Sequence, residues 1–212
     1  IKTEPKSVSK DPSLIHWQSP LAVIERFAEQ LNEFGVHLVL VSIPVKPMIY
    51  PEHLGQPTQE PVIHPDSETF YSTLRSLPNV DVLNLTLPLF KLKSRSEVFL
   101  KQDTHWTPEG MEEAAKIIAD HIKSKDWKYK QSVLKANGSE SRSSYGDLVE
   151  NLNTYGKISD KETVTATPVK GQTIDQESSI VLLGDSFTNI YSTDTTLNWG
   201  KHAGLANHIA LN

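Results

Sequence analysis

The run VHLVLVSI, residues 36–43, decides the fold class of this chain. Because it is almost continuously apolar and rich in β-branched side chains, it is typical of a strand buried on both faces, as in a parallel sheet. An amphipathic helix is predicted before it, with Ser19 as N-cap, Pro20 at the first helical position and Gly35 at its end. The sequence around this run therefore indicates a helix that leads into a central strand.

Helices and strands are predicted to alternate along the rest of the chain. A helix over residues 66–77 leads into a strand over 80–85, and a further helix begins at Thr107-Pro108 and ends near Lys123. SSIVLLG, residues 178–184, has the composition of another buried strand. This alternation predicts a three-layer α/β fold with a doubly wound, flavodoxin-like sheet, in which sites form at the carboxyl ends of strands.

The length of 212 residues fits one large domain, since domains usually contain about 100 to 200 residues. Residues 1–18 are polar and contain proline, so we interpret them as a linker and residues 19–212 as the domain. Residues 124–160 are polar and are interpreted mostly as loop and insertion. Pro44 is expected to end the first strand and to open a loop that runs to about Pro65.

Composition excludes several functional classes. The net charge is −5 and the lysines and arginines are scattered, so no nucleic acid partner is expected. The absence of cysteine excludes disulfides, thiol catalysis and cysteine-ligated zinc. No stretch approaches the roughly 18 apolar residues of a membrane helix, and any signal peptide or anchor is expected outside this segment.

Ser186 is the candidate nucleophile. It lies in Gly184-Asp185-Ser186-Phe187, directly after the predicted strand. A serine at a sharp turn from strand to helix exposes its hydroxyl and points its backbone N–H at a bound carbonyl oxygen. The alternative is a structural turn in which Gly184 takes a positive φ and Asp185 caps the next helix.

Asp103 and His105 are the candidate partners of that serine. In an extended backbone, residues i and i+2 face the same side, so Asp103 can reach one ring nitrogen of His105 while the other points outward. This spacing predicts a triad of Ser186 as nucleophile, His105 as general base and Asp103 as the group that orients the histidine. Two alternatives stay open: a capped helix start with a structural histidine, and a divalent metal site, although no second ligand pair accompanies the two residues. No cofactor or metal is expected.

Three further residues are candidate substrate contacts. Trp106, beside His105, can stack on a sugar ring, although tryptophan is more often simply buried. Lys46 and Tyr50 follow the first strand at the sheet edge where substrates bind. Lys46 is the cation expected to meet a polymer that carries carboxylates, and its alternative is a solvated loop lysine.

Three segments carry a resemblance to a known family: VSIPVKPMIYPEHL (41–54), DTHWTPEG (103–110) and LLGDSF (182–187). They resemble the SGNH-hydrolase-like domain of alginate O-acetyltransferases of the AlgX and AlgJ type, over most of residues 20–210. The order of the blocks, with DTHW before GDS, matches the circularly permuted order of that family. The resemblance implies Ser186 as nucleophile, His105 as general base and Asp103 as its partner. It also implies that the glycine and asparagine blocks of the oxyanion hole lie beyond the end of this chain.

The resemblance further implies an O-acetyltransferase that moves acetyl groups onto hydroxyls of an exported, alginate-like polysaccharide through an acetyl-serine intermediate. Its expected partners are the polysaccharide acceptor, an acetyl donor such as a membrane-bound acetyl-transfer protein, and other members of a secretion complex. The expected location is the periplasm or the cell surface. Two other functions stay open: a carbohydrate esterase with the same triad, and a catalytically silent polysaccharide-binding domain.

Overall fold

The structure is a computed structural model that describes residues 20–55, 58–130, 133–152, 156–157, 160–171, 175, 177–193 and 199–212. The N-terminal segment that we interpret as a linker lies outside these residues. The chain forms two compact units. The first contains Ile63–Leu83 and the described part of Ile1–Val41, and the second contains Ser42–Val62 and the described part of Asn84–Asn212.

The two strands in the first half of the described chain are each preceded and followed by helices, as predicted. The elements, in chain order, are α1 (Pro20–Glu33), β1 (Leu38–Ser42), α2 (Lys46–Ile49), a 3-10 turn (Pro51–Leu54), α3 (Ser67–Arg75), β2 (Val80–Asn84), α4 (Thr86–Leu92), α5 (Pro108–Lys123), β3 (Lys135–Ala136), β4 (Glu140–Ser144), α6 (Asp147–Asn151), β5 (Glu162–Ala166), β6 (Val169–Lys170), α7 (Ser186–Asn189) and α8 (Leu205–Leu211). None of the helices in the described ranges has the length and apolar character needed to cross a membrane.

The first unit is built from α1, α3 and the paired strands β1 and β2. The chain turns after α1 at Gly35, whose φ of 68° is the left-handed conformation that glycine adopts without steric cost. Beside the turn, Leu38 N donates a hydrogen bond to Asn79 O at 2.8 Å. The predicted order of helix, strand, helix and strand is therefore confirmed for this part of the chain.

The core of the second unit forms around α5, which contacts α4 and α8. The helix buries Met111, Ala114, Ala115 and Ile118 on one face, which matches the helical spacing of apolar residues. Its start is fixed by Thr107, whose Oγ1 accepts a hydrogen bond from Gly110 N at 3.1 Å. This cap places the preceding residues, which include His105, at a defined position beside the helix.

Two expectations about secondary structure are wrong. Residues 180–185 lie outside every strand of the described chain, and Val181 and Leu183 are each 78% exposed. An apolar run alone predicted that strand, but a strand also needs a neighbouring chain to accept its hydrogen bonds, which composition does not reveal. The residues after Pro44 are also not all loop, since α2 and the 3-10 turn lie there.

Residues 124–160 are more ordered than we expected for a loop and insertion. Strand β4 pairs antiparallel with β5, and β3 pairs antiparallel with β6. On the exposed face of the β4–β5 pair, the hydroxyls of Ser141 and Thr165 lie 2.7 Å apart. Strand β4 carries serine where a half-buried strand carries apolar residues, so the alternation of hydrophobicity that signals a strand is weak there. Strand β5 does alternate, with Val164 and Ala166 buried.

Candidate active site

Asp103 and His105 lie on a tight loop between two short extended segments. Phe99 and Trp106 form an isolated antiparallel bridge. Leu100 N donates to His105 O at 3.0 Å, and Thr107 N donates to Val98 O at 2.9 Å. These bonds hold the two ends of the loop together, so the loop presents Asp103 and His105 from a fixed base.

Ser186, His105 and Asp103 form a continuous chain of hydrogen bonds. Ser186 Oγ lies 2.7 Å from His105 Nε2, and Asp103 Oδ1 lies 2.5 Å from His105 Nδ1. Asp103 is fully buried and His105 is nearly so, whereas Ser186 is exposed. The geometry is that of a nucleophile, a base within hydrogen-bond reach and a carboxylate that sets the tautomer of the base.

The carboxylate of Asp103 accepts hydrogen bonds from three more donors. His105 N lies 3.0 Å from Oδ1, while Asp147 N and Trp199 Nε1 lie 3.1 and 3.0 Å from Oδ2. Burial alone raises the pKa of Asp103, but the hydrogen bonds from the His105 side chain and from the two backbone N–H groups outweigh it and lower the pKa from 3.8 to about 2. Asp103 is therefore ionised at neutral pH.

Asp147 is a residue of this site that the sequence analysis missed. Its carboxylate accepts hydrogen bonds from Thr104 N at 2.7 Å and from Thr104 Oγ1 at 2.5 Å, and its Oδ2 lies 3.9 Å from His105 Nδ1. The preceding Gly146 is required by the close approach, because a Cβ there would lie 2.1 Å from Gln102 O. No local pattern marks Asp147, since it follows a polar segment that resembles a loop. Trp199 is a second such residue: it is buried, and its indole Nε1 donates a hydrogen bond to Asp103.

Ser186 is the first residue of the short helix α7. Asp185 caps this helix by accepting a hydrogen bond from Phe187 N at 2.9 Å, so this part of the alternative interpretation holds beside the catalytic one. Gly184 does not take the positive φ of the alternative interpretation. It is required instead by close packing, because a Cβ at Gly184 would lie 2.1 Å from the Cγ2 atom of Thr188.

Trp106 supports the site from its buried side. Its side chain has no exposed surface, and its carbonyl oxygen accepts a hydrogen bond from Tyr191 Oη at 2.7 Å. The Phe187 ring lies 4.8 Å from the ring of His105 and 5.3 Å from that of Trp106, measured between centroids. This placement corresponds to the buried alternative for Trp106 and leaves no face for stacking on a sugar.

Lys46 and Tyr50 both bond the main chain around the loop that carries Asp103. Lys46 Nζ donates to the carbonyl oxygens of Leu100, Lys101 and Asp103, the last two at 3.2 and 3.0 Å. Burial lowers the pKa of Lys46, while the surrounding carboxylates oppose this shift. The placement differs from the solvated alternative, because the partners of Lys46 are carbonyl oxygens more than 50 residues away. Contact of Lys46 with a polymer carboxylate stays a prediction.

Tyr50 is 7% exposed, and its hydroxyl donates to Glu97 Oε2 at 3.0 Å and accepts from Val98 N at 2.8 Å. Burial is the main cause that raises the pKa of Tyr50 to about 12. The structure therefore places Tyr50 against the chain segment that enters the loop, with little surface left for a substrate.

The alternative interpretation, a divalent metal site, would use side chains of the same loop and its neighbour. Asp103, His105 and Asp147 offer ligand atoms within 4.8 Å of one another, and imidazole with carboxylates is a donor set that divalent cations accept. In this structure both oxygens of Asp103 accept N–H bonds, and both oxygens of Asp147 accept bonds from Thr104. The carboxylate oxygens of both aspartates are thus already engaged in hydrogen bonds within the protein.

A serine, a histidine and an aspartate joined in this way, with the serine at a helix start in a mixed α/β fold, define a serine-dependent hydrolase or acyltransferase domain. The family model described as the SGNH hydrolase-like domain of the acetyltransferase AlgX matches residues 7–203, and this chain belongs to that family. The resemblance noted in the sequence and the expected fold class are thereby confirmed.

Several relatives carry related names. A Pseudomonas fluorescens protein named as a probable alginate O-acetylase AlgJ is 29% identical over 198 residues, which is 86% of this chain and 49% of that protein. The Pseudomonas putida protein of the same name is 36% identical over 106 residues, 50% of this chain and 27% of that protein. The chain therefore spans half or less of these relatives.

Solved structures agree on the fold. The O-acetyltransferase domain of Pseudomonas putida AlgJ superposes with a TM-score of 0.56 at 27% identity, covering 71% of this chain and 55% of that one. Pseudomonas aeruginosa AlgX has a TM-score of 0.54 at 19% identity, covering 72% of this chain and 38% of its own, and shows the fold alone.

Proposed function

We propose that this chain is an O-acetyltransferase domain that transfers acetyl groups to hydroxyls of an exported, alginate-like polysaccharide. The observation that carries the proposal is the unbroken hydrogen-bond chain from Ser186 through His105 to Asp103. Membership of the AlgX family and the names of the relatives support the choice of acetyl group and polymer. A site for this reaction lies outside the cytoplasm, with a membrane-bound or exported acetyl carrier as donor and other secretion proteins as partners.

The first half of the reaction transfers the acetyl group to the enzyme. His105 Nε2 accepts the hydroxyl proton as Ser186 Oγ attacks the acetyl carbonyl carbon, and Asp103 stabilises the imidazolium that forms. The backbone N–H of Ser186 donates to the developing oxyanion. When the intermediate collapses, the bond to the donor breaks, His105 returns the proton to the leaving group, and acetyl-Ser186 remains.

The second half transfers the acetyl group to the sugar. His105 accepts the proton of a polysaccharide hydroxyl, whose oxygen attacks the acetyl carbon of acetyl-Ser186. Collapse breaks the bond to Ser186 Oγ, which takes the proton back from His105. Water in place of the sugar hydroxyl gives the esterase reaction with the same residues, and that reaction is the one to be distinguished by experiment.

The triad is tested with p-nitrophenyl acetate as an artificial donor. We expect hydrolysis above the uncatalysed rate and a single acetyl group on the peptide that contains Ser186 after a rapid acid quench. Ser186→Ala is expected to abolish both, with unchanged circular dichroism, because Ser186 is exposed and removal of its hydroxyl leaves the packing intact. A chelator is expected to leave the rate unchanged. Hydrolysis that persists in Ser186→Ala at the original rate contradicts the proposal.

A further inference from the structure

An open groove of about 720 Å³ lies on the second unit where the chain leaves α5. Its walls come largely from the segment KDWKYK, residues 125–130, and from Glu177 and Ser179. None of the three triad residues lines it, and the acyl transfer proposed above makes no use of it. The groove is therefore a surface feature separate from the triad.

Positive charge is concentrated at this groove. Four of the 21 lysines and arginines lie within residues 123–130, at Lys123, Lys125, Lys128 and Lys130, although the chain as a whole has a net charge of −5. Three other basic residues, Lys91, Lys93 and Arg95, also lie close together in sequence, but none of them lines the groove. The lining contains the last three of these lysines against one carboxylate, that of Glu177. Such a local excess of cations in an acidic protein favours an anionic ligand.

Aromatic rings alternate with these lysines. The segment is neither helix nor strand, and burial alternates along it: Trp127 and Tyr129 are half-buried, and Lys128 and Lys130 are exposed. The Trp127 ring packs edge to face with His121, 6.3 Å between centroids, and Lys125 Nζ lies 5.9 Å from the Trp127 centroid. Tryptophan and tyrosine offer a flat apolar face for the C–H face of a sugar ring and a polar end for water. Lysines beside them suit sugars that carry carboxylates.

The groove is connected to the segment that ends in the nucleophile. Ser179 Oγ donates to Lys128 O at 2.9 Å. Ser179 precedes Ser186 by seven residues, so the edge of the groove lies within about 25 Å of the nucleophile even if the chain between them is fully extended. A polysaccharide chain of several sugars is long enough to span this distance, so one polymer can occupy the groove and reach Ser186.

We propose that this groove is a binding site for an anionic polysaccharide, a chain of uronic acid residues that lies with rings against Trp127 and Tyr129 and carboxylates beside Lys128 and Lys130. The identity of the ligand rests on the proposed function. Lys130 Nζ lies 3.4 Å from Asp175 in an exposed pair, which contributes little and is exchanged for a carboxylate of the ligand. Because exposed charges are screened over about 10 Å at 0.1 M salt, the affinity is expected to fall as salt rises.

The site is tested by titrating a hexamer of mannuronic acid into the Ser186→Ala variant, in which no acetyl chemistry occurs. We expect Trp127→Ala and the double variant Lys128→Ala/Lys130→Ala each to weaken binding on the order of tenfold. Trp127→Phe keeps a ring and is expected to retain most of the affinity. Lys116→Ala removes one exposed lysine from α5, outside the groove, and is the matched control with unchanged affinity.

Each other result has a definite meaning. Unchanged affinity in the lysine double variant overturns the inference. A loss of affinity in that variant is not an effect of misfolding, because both side chains are exposed. Equal affinity for a neutral cello-oligosaccharide or for single-stranded DNA overturns it too, since the groove is then not selective for uronic acids. The failure of the proposed function is distinguishable: in that case p-nitrophenyl acetate hydrolysis is absent from the wild type while the hexamer still binds through these residues.

Discussion

Asp103 orients the catalytic base, His105. It holds His105 Nδ1 at 2.5 Å and leaves Nε2 directed at Ser186. In Asp103→Asn the side-chain amide can donate to Nδ1, which stabilises the wrong tautomer, so we expect kcat for p-nitrophenyl acetate to fall by about 10³ to 10⁴. Asp185→Asn is the matched control, because asparagine caps a helix as well as aspartate does, and we expect its kcat to stay within a few-fold of the wild type. An equal loss in both variants contradicts this assignment.

The low pKa of Asp103 also predicts how stability changes in acid. The pKa is lowered from 3.8 to about 2 in the folded protein, so the stabilisation is fully present above pH 4 and is lost as the pH falls from about 4 through 2. By linkage, this group contributes about 2 kcal/mol to the free energy of unfolding at neutral pH. We expect the wild type to lose more stability than Asp103→Asn between pH 5 and 2, measured by urea unfolding. Equal slopes in the two proteins would contradict the shift.

At the scale of elements, the loop 100–104 is held from both sides. Lys46, at the start of α2, bonds three of its carbonyls, while the carboxylate of Glu162, at the start of β5, accepts from Lys101 N and Gln102 N at 2.8 Å each. Asp103 is therefore positioned by two elements that are distant in sequence. We call the hydrogen bonds of Lys46 and Glu162 to this loop the clamp. The geometry of the site depends on the clamp as much as on the triad residues themselves.

Lys46→Met tests the clamp, because methionine keeps the length of the side chain but removes the three donated hydrogen bonds. Unpaired buried carbonyls cost about 1 to 3 kcal/mol, and the loop is expected to shift. We expect a lower kcat for p-nitrophenyl acetate with little change in KM, since the residue acts through Asp103 and not on the ester. Lys91→Met, at an exposed position on α4, is expected to change neither. A Lys46→Met effect confined to binding of anionic oligosaccharide would instead support direct substrate contact.

Helices α1, α3 and α5 and strands β1 and β2 could be predicted because their signals are local, whereas the apolar run 178–184 wrongly predicted a further strand. Thr107-Pro108 and the apolar spacing after it define α5, and the spacing of Asp103 and His105 defines half of the triad. Asp147 and Trp199 could not be predicted, because they meet Asp103 from 44 and 96 residues away and no periodic pattern records such a contact. Lys46 was predicted to contact an anionic polymer, with a solvated loop lysine as the alternative. Its carbonyl partners could not be predicted, because they lie more than 50 residues away in sequence.

At the scale of the whole molecule, the site joins segments 81 residues apart, since His105 is on the loop before α5 and Ser186 is at the start of α7. Three features of the sequence specified this arrangement in advance: the serine block, the Asp-x-His spacing and the resemblance to a family in which the histidine precedes the serine. The net charge of −5 is unfavourable for an anionic polymer at long range, so we expect binding to depend on local cations such as those of the groove.

The central claim is that acetyl-Ser186 passes its acetyl group to a sugar hydroxyl. It is tested most directly by mixing the wild type and Ser186→Ala with p-nitrophenyl acetate and a mannuronic acid hexamer, and quantifying acetylated hexamer and free acetate by mass spectrometry. A bound hydroxyl has an effective molarity that can exceed that of water, so we predict that the wild type forms more acetylated hexamer than acetate and that Ser186→Ala forms neither above background. Acetate as the sole product of the wild type at saturating hexamer, together with deacetylation of an acetylated polyuronate, would contradict the account.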